Sequence, residues 1–405
     1  MANQYVNKFV KDGVTKFDLT NDTVTAATLK SGYTAHNAAG QQITGIMLSQ
    51  PTTVTAETLA EGITAYNSDG ELITGGIPLT SWEQLQTKVR ANDMSDISID
   101  DQYACEQGSG ELTWDVIGKN IDTPTDPNLS HTLTLRVHSL LPDNLAFDAA
   151  EALYACRSTS LSAGTYYYIR NGIYLNFRLT KSVPVGGQLV CTDDATLKSY
   201  ASGNSTTPIE TVSVIEGVDV GTNLGTLSDN TRSGNLNTGY RREYGSGDWK
   251  ESAIRQWLNS DKPAGQWWTP QNPWDRPPAY AETMNGFMYD LDPEFLNVIG
   301  KTRVTTKYFD TSTGAIRGTY ITEDYFFLMS RSQVSSGYSG EGTKYTHYSD
   351  NPSRIMYKNG SASTYWLRSP DSNESYYAYV VSSNSNILRS WAGYGYGVAP
   401  ACNII

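Results

Sequence analysis

The residue types with the greatest capacity for chemistry lie near the end of the chain, between Trp366 and Gly397, and their chemistry is non-covalent binding. This stretch is rich in Tyr, Ser, Asn and Gly, and no lysine follows Lys358. Tyr and Trp offer large amphipathic surfaces with few rotatable bonds, while Ser, Asn and Gly supply adaptable hydrogen bonds, as in antibody paratopes. The composition is typical of a binding loop, but an all-β domain with tyrosine on its outer strands would have the same composition.

Catalytic and metal-binding patterns are absent from the sequence. The four histidines are scattered: His36, His131, His138 and His347. His131 and His138 would lie on opposite faces of a strand, so their spacing alone does not let them share a metal. The four cysteines form no CxxC motif: Cys105, Cys156, Cys191 and Cys402. We expect them to be reduced and buried, or to form one or two bridges. Asp and Glu are plentiful, but no motif singles out a glycosidase pair. We therefore expect no metal, no cofactor and no catalytic residue.

Length and charge limit the possible partners. A chain of 405 residues is expected to form two or more domains. The net charge of −12 and the pI near 4.8 disfavour a nucleic-acid partner, because binding to the phosphate backbone needs clustered Lys and Arg. The first residues have no signal-peptide core, and no stretch is apolar enough to insert into a membrane. We therefore expect synthesis in the cytosol and, if the protein acts outside the cell, release as part of an assembled particle.

The N-terminal elements are predicted to be small and repeated. Two β-type runs flank Asp12-Gly13, which predicts a hairpin with a tight turn. Thr23–Gly45 is then repeated thirty residues later as Thr53–Gly75, each copy with a helical turn, a strand pair and a Gly-bearing turn. A unit of this size cannot bury a core alone, so the copies are expected to stack on each other or on neighbouring chains. We assign residues 1–80 to attachment and oligomerisation, with a trimer favoured; two small surface modules are the alternative.

The rest of the chain is predicted to form a helix and linker, then one large domain. Residues 81–108 begin with a helix capped by Ser81, and residues 109–405 form the domain. Within it, alternation predicts strands over 110–118 and 131–138 and a hairpin over 164–179, and residues 192–237 are expected to be long surface loops. The predicted helices cover residues 148–156, 248–258 and 292–299, and residues 323–330 are a predicted buried strand.

Two parts of the chain carry family resemblances. Residues 1–77 resemble N-terminal segments of tail-fibre and baseplate-associated proteins of phages of Gram-positive hosts, through the Val6-Asn-Lys hairpin and the Ile43-Thr-Gly repeats. The second resemblance rests on five segments in a fixed order: Ala253–Asn259, Leu291–Phe295, Asp324–Leu328, Trp366–Pro370 and Gly397–Ala401. This set resembles the C-type-lectin-like domain that ends the variable proteins of diversity-generating retroelements. That domain is distantly similar in fold to formylglycine-generating enzymes, which implies an α+β class with small β-rich N-terminal modules.

The second resemblance implies a role for the C-terminal stretch. In such proteins a reverse transcriptase that mutates adenines rewrites the last few dozen codons, so residues 363–396 would be variable. The expected exposed, ligand-binding residues are Tyr365, Ser369, Asp371, Asn373, Ser375, Tyr377, Tyr379, Arg389, Ser390, Trp391 and Tyr394. The expected scaffold is Trp366, Leu367, Arg368, Pro370, Val381, Gly397, Val398 and Pro400, with Arg368 a possible buried structural cation. Many relatives carry Arg where this chain has Ala399.

The resemblance also separates binding from other functions. The enzyme relatives use a cysteine pair in the C-terminal half, where this chain has only Cys402. Calcium-binding lectins use short Pro-containing motifs, and residues 271–275 match these only loosely. We therefore expect a phage receptor-binding protein in the virion tail, which binds a host cell-surface protein or glycan and contacts other tail proteins through its N-terminus. The alternatives are a polysaccharide-degrading enzyme and a purely structural tail component.

Overall fold

The chain divides into two units, Met1–Ser81 and Trp82–Ile405. A computed structural model describes residues 6–45, 64–66, 72–74, 81–170, 172–193, 195–227, 231–232, 235–236, 241–310 and 315–405. The chain is mostly β-sheet with few helices, at 39% strand and 10% helix. The expected α+β class therefore holds in its coarse form, as a β-rich fold.

The first unit begins with the predicted hairpin. Strands β1 (Lys8–Lys11) and β2 (Val14–Asp18) pair antiparallel. Asp12 and Gly13 turn the chain with φ angles of +55° and +73°, which confirms the Asp-Gly turn. Every residue of both strands is exposed, including the stacked rings of Phe9 and Phe17. Since an isolated hairpin is at best marginally stable in water, this element lacks the cover that would stabilise it.

The repeat is visible as two equivalent strand pairs. β3 (Thr34–His36) pairs with β4 (Gln42–Thr44), and β5 (Thr64–Tyr66) pairs with β6 (Leu72–Thr74) in the same register. In the first copy, Leu29 N–H donates to Thr25 O at 3.1 Å, which gives the predicted helical turn. The corresponding turn at 56–59 and the turn at 68–70 lie outside the described residues. Within residues 6–45, only Gly40 and Gly45 are buried, so this segment has no core of its own.

The second unit contains the following elements. The helices are α1 (Ser81–Arg90), α2 (Arg241–Tyr244), α3 (Ala253–Leu258), α4 (Pro293–Val298) and α5 (Arg331–Val334), with 3₁₀ turns at Ala279–Ala281 and Pro352–Arg354. The strands between residues 102 and 227 are β7 (Gln102–Gln107), β8 (Gly110–Lys119), β9 (Leu133–Val137), β10 (Leu145–Ala146), β11 (Tyr154–Ala155), β12 (Gly164–Arg170), β13 (Ile173–Leu179), β14 (Gln188–Asp193), β15 (Thr196–Tyr200), β16 (Pro208–Ser213), β17 (Ile215–Glu216) and β18 (Thr222–Leu227). The later strands are β19 (Thr231–Arg232), β20 (Asn235–Leu236), β21 (Ile299–Gly300), β22 (Thr302–Asp310), β23 (Ala315–Asp324), β24 (Phe326–Phe327), β25 (Met356–Lys358), β26 (Ser361–Ser363), β27 (Tyr365–Pro370), β28 (Tyr377–Val381), β29 (Ile387–Trp391), β30 (Gly395–Tyr396) and β31 (Ala401–Ile404).

A central sheet joins the two ends of this unit. Its order is β21-β31-β9-β8-β7, and β24 also pairs with β31, so the last strand of the chain lies beside β9. The strands predicted over 110–118 and 131–138 are confirmed, and in β9 the predicted alternation holds, because Leu133, Leu135 and Val137 are apolar. The polar residues between them, Thr134 and Arg136, are buried as well. The buried polar residues are paired: Arg136 forms a 3.0 Å ion pair with Asp115. The sheet is therefore covered on both faces.

Residues 153–227 form an inserted β unit with its own hydrophobic core. Its two four-stranded sheets have the orders β11-β14-β15-β16 and β17-β13-β12-β18. A separate cluster that includes Leu153, Phe177 and Leu197 fills the space between them. The predicted hairpin over 164–179 is confirmed. The expected surface loops over 192–237 are wrong for β15, β16 and β18, because their Thr, Val and Ile residues pair as strands.

The helix predictions have mixed outcomes. The helix capped by Asp292 is confirmed as α4, and the helix predicted over 248–258 is confirmed only from Ala253, where Ser252 caps it. The predicted helix over 148–156 is wrong. The Asp148 carboxyl accepts hydrogen bonds from Ser246 N–H and Ala253 N–H, and β11 pairs with β14, so tertiary contacts override local helix propensity. The strand predicted over 323–330 is confirmed in part: residues 323–324 end β23, residues 326–327 form the buried β24, and Ser330 caps α5.

Candidate ligand-binding face

The C-terminal stretch folds into a three-stranded antiparallel sheet of β27, β28 and β29. Tyr377 lies opposite Trp391, and Tyr379 lies opposite Arg389. Residues directly opposite in neighbouring strands point to the same side of a sheet, and so do residues two apart in one strand. These four side chains therefore share one face, while Ala378 and Val380 between them are buried.

The rings on this face are here called the aromatic band: Tyr244, Tyr377, Tyr379, Trp391 and Tyr394. Trp391 stacks on Tyr244 with centroids 4.4 Å apart and planes within 8°. It also stacks on Tyr377 at 6.1 Å and meets Tyr394 edge-on at 4.8 Å. Tyr394 is 44% exposed, and the other four are half-buried. The band is therefore at the surface, and four of its five rings are held by one another.

Two arginines and two carboxylates fix the polar part of the band. Arg389 lies 4.8 Å from the Tyr377 ring, and it donates to Glu374 at 2.9 Å and to Asp371 at 3.4 Å. Tyr379 donates its hydroxyl hydrogen to the other oxygen of Asp371 at 3.0 Å. Arg331 covers the Tyr379 ring at 3.7 Å. Burial raises the pKa of Tyr377 and Tyr379, so both hydroxyls stay neutral donors at physiological pH.

The predicted ligand-binding residues separate into two groups. Six reach the surface: Asn373, Tyr377, Tyr379, Arg389, Trp391 and Tyr394. Five are buried, and the expectation that they are exposed is wrong: Tyr365, Ser369, Asp371, Ser375 and Ser390.

Each of the buried five has a physical reason for its position. All six residues of β27 are buried, so its polar side chains find internal partners. Tyr365 donates to Arg354 O at 2.9 Å, and Ser369 donates to the buried Glu341 carboxylate at 2.7 Å. Asp371 lies beneath the Arg389 and Tyr379 side chains that it binds, and Ser390 donates to the Tyr396 hydroxyl at 3.2 Å. Ser375 lies against the main chain of residue 247, whose N–H donates to Ser375 O at 2.8 Å.

The eight predicted scaffold residues are all buried. Trp366 donates from its indole nitrogen to Leu145 O at 2.8 Å. Arg368 is 1% exposed and makes five hydrogen bonds to neutral acceptors. They are Thr305 O, Thr306 Oγ1, Leu328 O, Gln333 Oε1 and Glu341 O. Arg368 is thus a buried cation whose donors are satisfied by the main chain and side chains around β27.

Three contributors to the band were missed because they are distant in sequence. Tyr244 ends α2, Arg331 begins α5, and Tyr338 lies 4.5 Å from the Arg331 guanidinium. No sequence pattern signals that any of them lies near residues 377–394. Gly247 offers a partial signal, since a Cβ there would come within 2.1 Å of Tyr377 O, so only glycine fits beneath β28.

In the described part of the chain, no group of three or more His, Cys, Asp and Glu side chains has a metal-binding arrangement. His138 Nδ1 is 2.8 Å from Asp115, and His347 bonds Asp100. All four cysteines are reduced thiols, and burial raises the pKa of Cys402 well above its ordinary value. In the loop 271–275, Asp275 accepts from Gln271 N–H at 2.8 Å, so its carboxyl closes a turn.

Comparison with known proteins gives one match. Residues 226–405 match the model of a domain of unknown function, DUF6273. No curated protein and no solved structure matches the chain. The matched region contains the whole aromatic band and β31, but not β7 to β9, which complete the central sheet. Within the described residues, no helix is long and apolar enough to span a membrane.

Proposed function

We propose that this protein is a receptor-binding protein of a phage tail, which uses the aromatic band to bind a host cell-surface protein or glycan. The observation that carries the proposal is the band itself: rings and arginines on one sheet face, ordered by mutual contacts before any ligand arrives. Side chains that are already ordered lose little conformational entropy on binding, so more of the contact energy is available for affinity. Tyr, Trp and Arg are also the residues most enriched at binding hot spots.

The fold proposed for the second unit is C-type-lectin-like, with residues 363–396 the variable region of a diversity-generating-retroelement protein. Support comes from the contrast within that stretch, where Trp366, Leu367 and Arg368 are buried while Asn373, Arg389 and Tyr394 are exposed. A sheet closed by the last strand of the chain adds to this support.

The first unit is proposed to attach the protein to other tail proteins and to join copies of the chain, with a trimer favoured. Its exposed hairpin, with Phe9, Val10 and Phe17 all more than 40% exposed, supports a covered state in the assembly. Joining copies would place several bands side by side, which multiplies a weak affinity by avidity.

The test is adsorption of the purified protein to host cells. We expect the variant with Tyr377, Tyr379, Trp391 and Tyr394 all changed to Ala to keep its fold and lose adsorption. The matched control changes three exposed tyrosines that are not part of the band, Tyr33, Tyr289 and Tyr357, to Ala. Adsorption by the band variant equal to that of the control would remove the proposal.

The enzyme alternative has its own readout. Incubation with host envelope would release reducing ends if the protein cleaved polysaccharide, and we expect none. A purely structural role would instead leave the band covered by a neighbouring protein in the assembled tail, so that added antibody or protease could not reach Tyr394.

A further inference from the structure

Three segments meet directly beneath the aromatic band, at the point where the inserted β unit leaves and rejoins the second unit. Residues 148–152 lead into the insert, and residues 241–253, here called the root segment, follow it. Glu151 N–H donates to Arg241 O at 2.9 Å, and Ala152 N–H donates to Trp274 O at 2.6 Å. Residues 148–152 therefore contact both the root segment and the turn at 271–276.

The root segment supports the chain just before β28 and just after β29. Tyr244 contributes the ring that stacks on Trp391. Tyr244 O accepts a hydrogen bond from Gly393 N–H at 2.6 Å, and Gly247 N–H donates to Ser375 O at 2.8 Å. Movement of the root segment would therefore displace one ring of the band, the residues just before β28 and the residues just after β29.

Carboxyl groups hold the root segment and its neighbours in place; those of Asp148, Glu151 and Asp275 are buried, and that of Glu251 is partly exposed. One oxygen of Asp148 accepts from Ser246 N–H at 3.0 Å, and the other accepts from Ala253 N–H at 3.2 Å. Arg241 pairs with Glu151 at 3.5 Å and with Glu251 at 3.3 Å, and it also bonds the Ser246 hydroxyl. Asp275 closes the adjoining turn through Gln271 N–H and Arg276 N–H.

This acid cluster has more carboxyl groups than cations. The titratable and charged groups that meet here are Asp148, Glu151, Arg241, Asp248, Glu251, Asp275, Arg276 and Tyr280. On the β23 side of the root segment, Tyr320 donates to Asp248, and Asp324 accepts from the Trp249 indole and pairs with Arg255. The Arg276 guanidinium is directed away, to Gln188 Oε1, Gly203 O and Ser205 O. Arg241 is thus the cation that pairs with the cluster's carboxylates. Burial, followed by repulsion from Asp275, raises the pKa of Asp148, and burial raises the pKa of Asp275 to about 7.

We infer that the root segment is a pH-sensitive support for the aromatic band, held firmly while the acid cluster keeps its protons and loosened as the pH rises towards neutrality. When the segment opens, the carboxyl groups return to water and release their protons easily. Opening therefore becomes easier as the pH rises from the unfolded pKa of Asp275, 3.8, to its folded value of about 7, and changes little above that. The consequence for ligand binding rests on the function proposed above; the change in the root segment does not.

The test is hydrogen exchange of the full-length protein between pH 5.0 and pH 7.5, followed by mass spectrometry and corrected for the intrinsic effect of pH. Each pH unit between the unfolded and folded pKa values changes the equilibrium constant for opening of the root segment by about tenfold. We therefore expect hydrogen-exchange protection of residues 241–253 to fall by more than tenfold, while β9 shows no such change. Asp275→Asn and Glu251→Gln should each reduce this fall, and Glu216→Gln, an exposed acid in the insert, should leave it intact. The pH dependence of hydrogen exchange in the wild-type protein needs no variant, so it tests the pH-sensitive support even if Asp275→Asn fails to fold.

The outcomes separate the two proposals. Protection of the root segment that does not change with pH in the wild type, or an unchanged fall in Glu251→Gln, would overturn the pH-sensitive support whatever the binding result. If protection of the root segment depends on pH but the four-residue band variant still adsorbs to host cells, the pH-sensitive support is upheld and the proposed function is removed. Host-cell adsorption that is stronger at pH 5.0 than at pH 7.5, with a smaller difference in Glu251→Gln, supports both the proposed function and the pH-sensitive support.

Discussion

Replacing Arg368 by Met tests whether the buried guanidinium holds the sheet that carries the band. The substitution keeps a long side chain but leaves five buried acceptors without their donor. Each unsatisfied acceptor costs about 1 kcal/mol or more, and removing a buried arginine recovers part of its desolvation cost. We therefore expect a loss of about 3–5 kcal/mol in the free energy of unfolding, a large share of the roughly 5–15 kcal/mol typical of a domain.

The measurement is urea denaturation followed by tryptophan fluorescence. All nine tryptophans lie after residue 81, so the signal reports the second unit alone. Arg368→Lys is the matched control, because its three donors should recover part of the loss. An Arg368→Met protein within about 1 kcal/mol of the wild type would show that these hydrogen bonds contribute little net stability and would refute the anchoring role.

Four further predictions concern the band and its support. Tyr244→Ala and Trp391→Ala should be coupled by about 1 kcal/mol in a double-mutant cycle of unfolding, because their rings stack; additive effects would contradict the stack. Gly247→Ala should weaken adsorption, whereas Gly337→Ala, with no contact closer than 3.7 Å, should not. The folded pKa of Asp275 is raised from 3.8 to about 7, so its stabilising contribution is fully present below pH 3.8 and is lost as the pH rises through 7. That contribution is worth up to about 4 kcal/mol, and denaturation of wild type and Asp275→Asn at pH 5.0 and 7.5 measures it. Replacing residues 153–240 by a short Gly-Ser linker should leave the tryptophan-reported transition cooperative, because Glu151 N and Arg241 O are only 2.9 Å apart; aggregation of this variant would argue against an independent insert.

Local chemistry predicted the elements that depend on neighbouring residues. Asp12-Gly13 supplies the positive φ angles of a hairpin, and Asp292 with Pro293 begins α4, so both were predictable. The helix predicted over 148–156 failed for the opposite reason. Its composition favours a helix, but Asp148 is used by main-chain donors almost a hundred residues away, and β11 pairs with β14. Pattern reasoning carries no information about such distant partners.

The same limit explains the buried members of the predicted site. Tyr, Ser and Asp can serve equally as exposed binding groups or as buried residues with satisfied hydrogen bonds, and composition does not distinguish the two. Ser369 is buried because Glu341 accepts its hydroxyl hydrogen, and Tyr365 because Arg354 O does the same. In β28, by contrast, the alternation of Tyr377 and Tyr379 with Ala378 and Val380 does separate the surface from the core.

A mutable binding face requires that its exposed side chains contribute little to the framework beneath. Arg368 bonds acceptors in β22, near β24 and in the loop at 341, and Trp366 bonds Leu145 O. Among the described residues, neither of these framework side chains bonds the side chain of Tyr377, Arg389 or Trp391, which instead contact one another, Glu374 and the buried Asp371. Substitution on the face therefore removes surface contacts while the framework keeps its hydrogen bonds. Tyr244 is the exception, because it belongs to the root segment, and a change there alters the shape of the band without changing any residue of the C-terminal stretch.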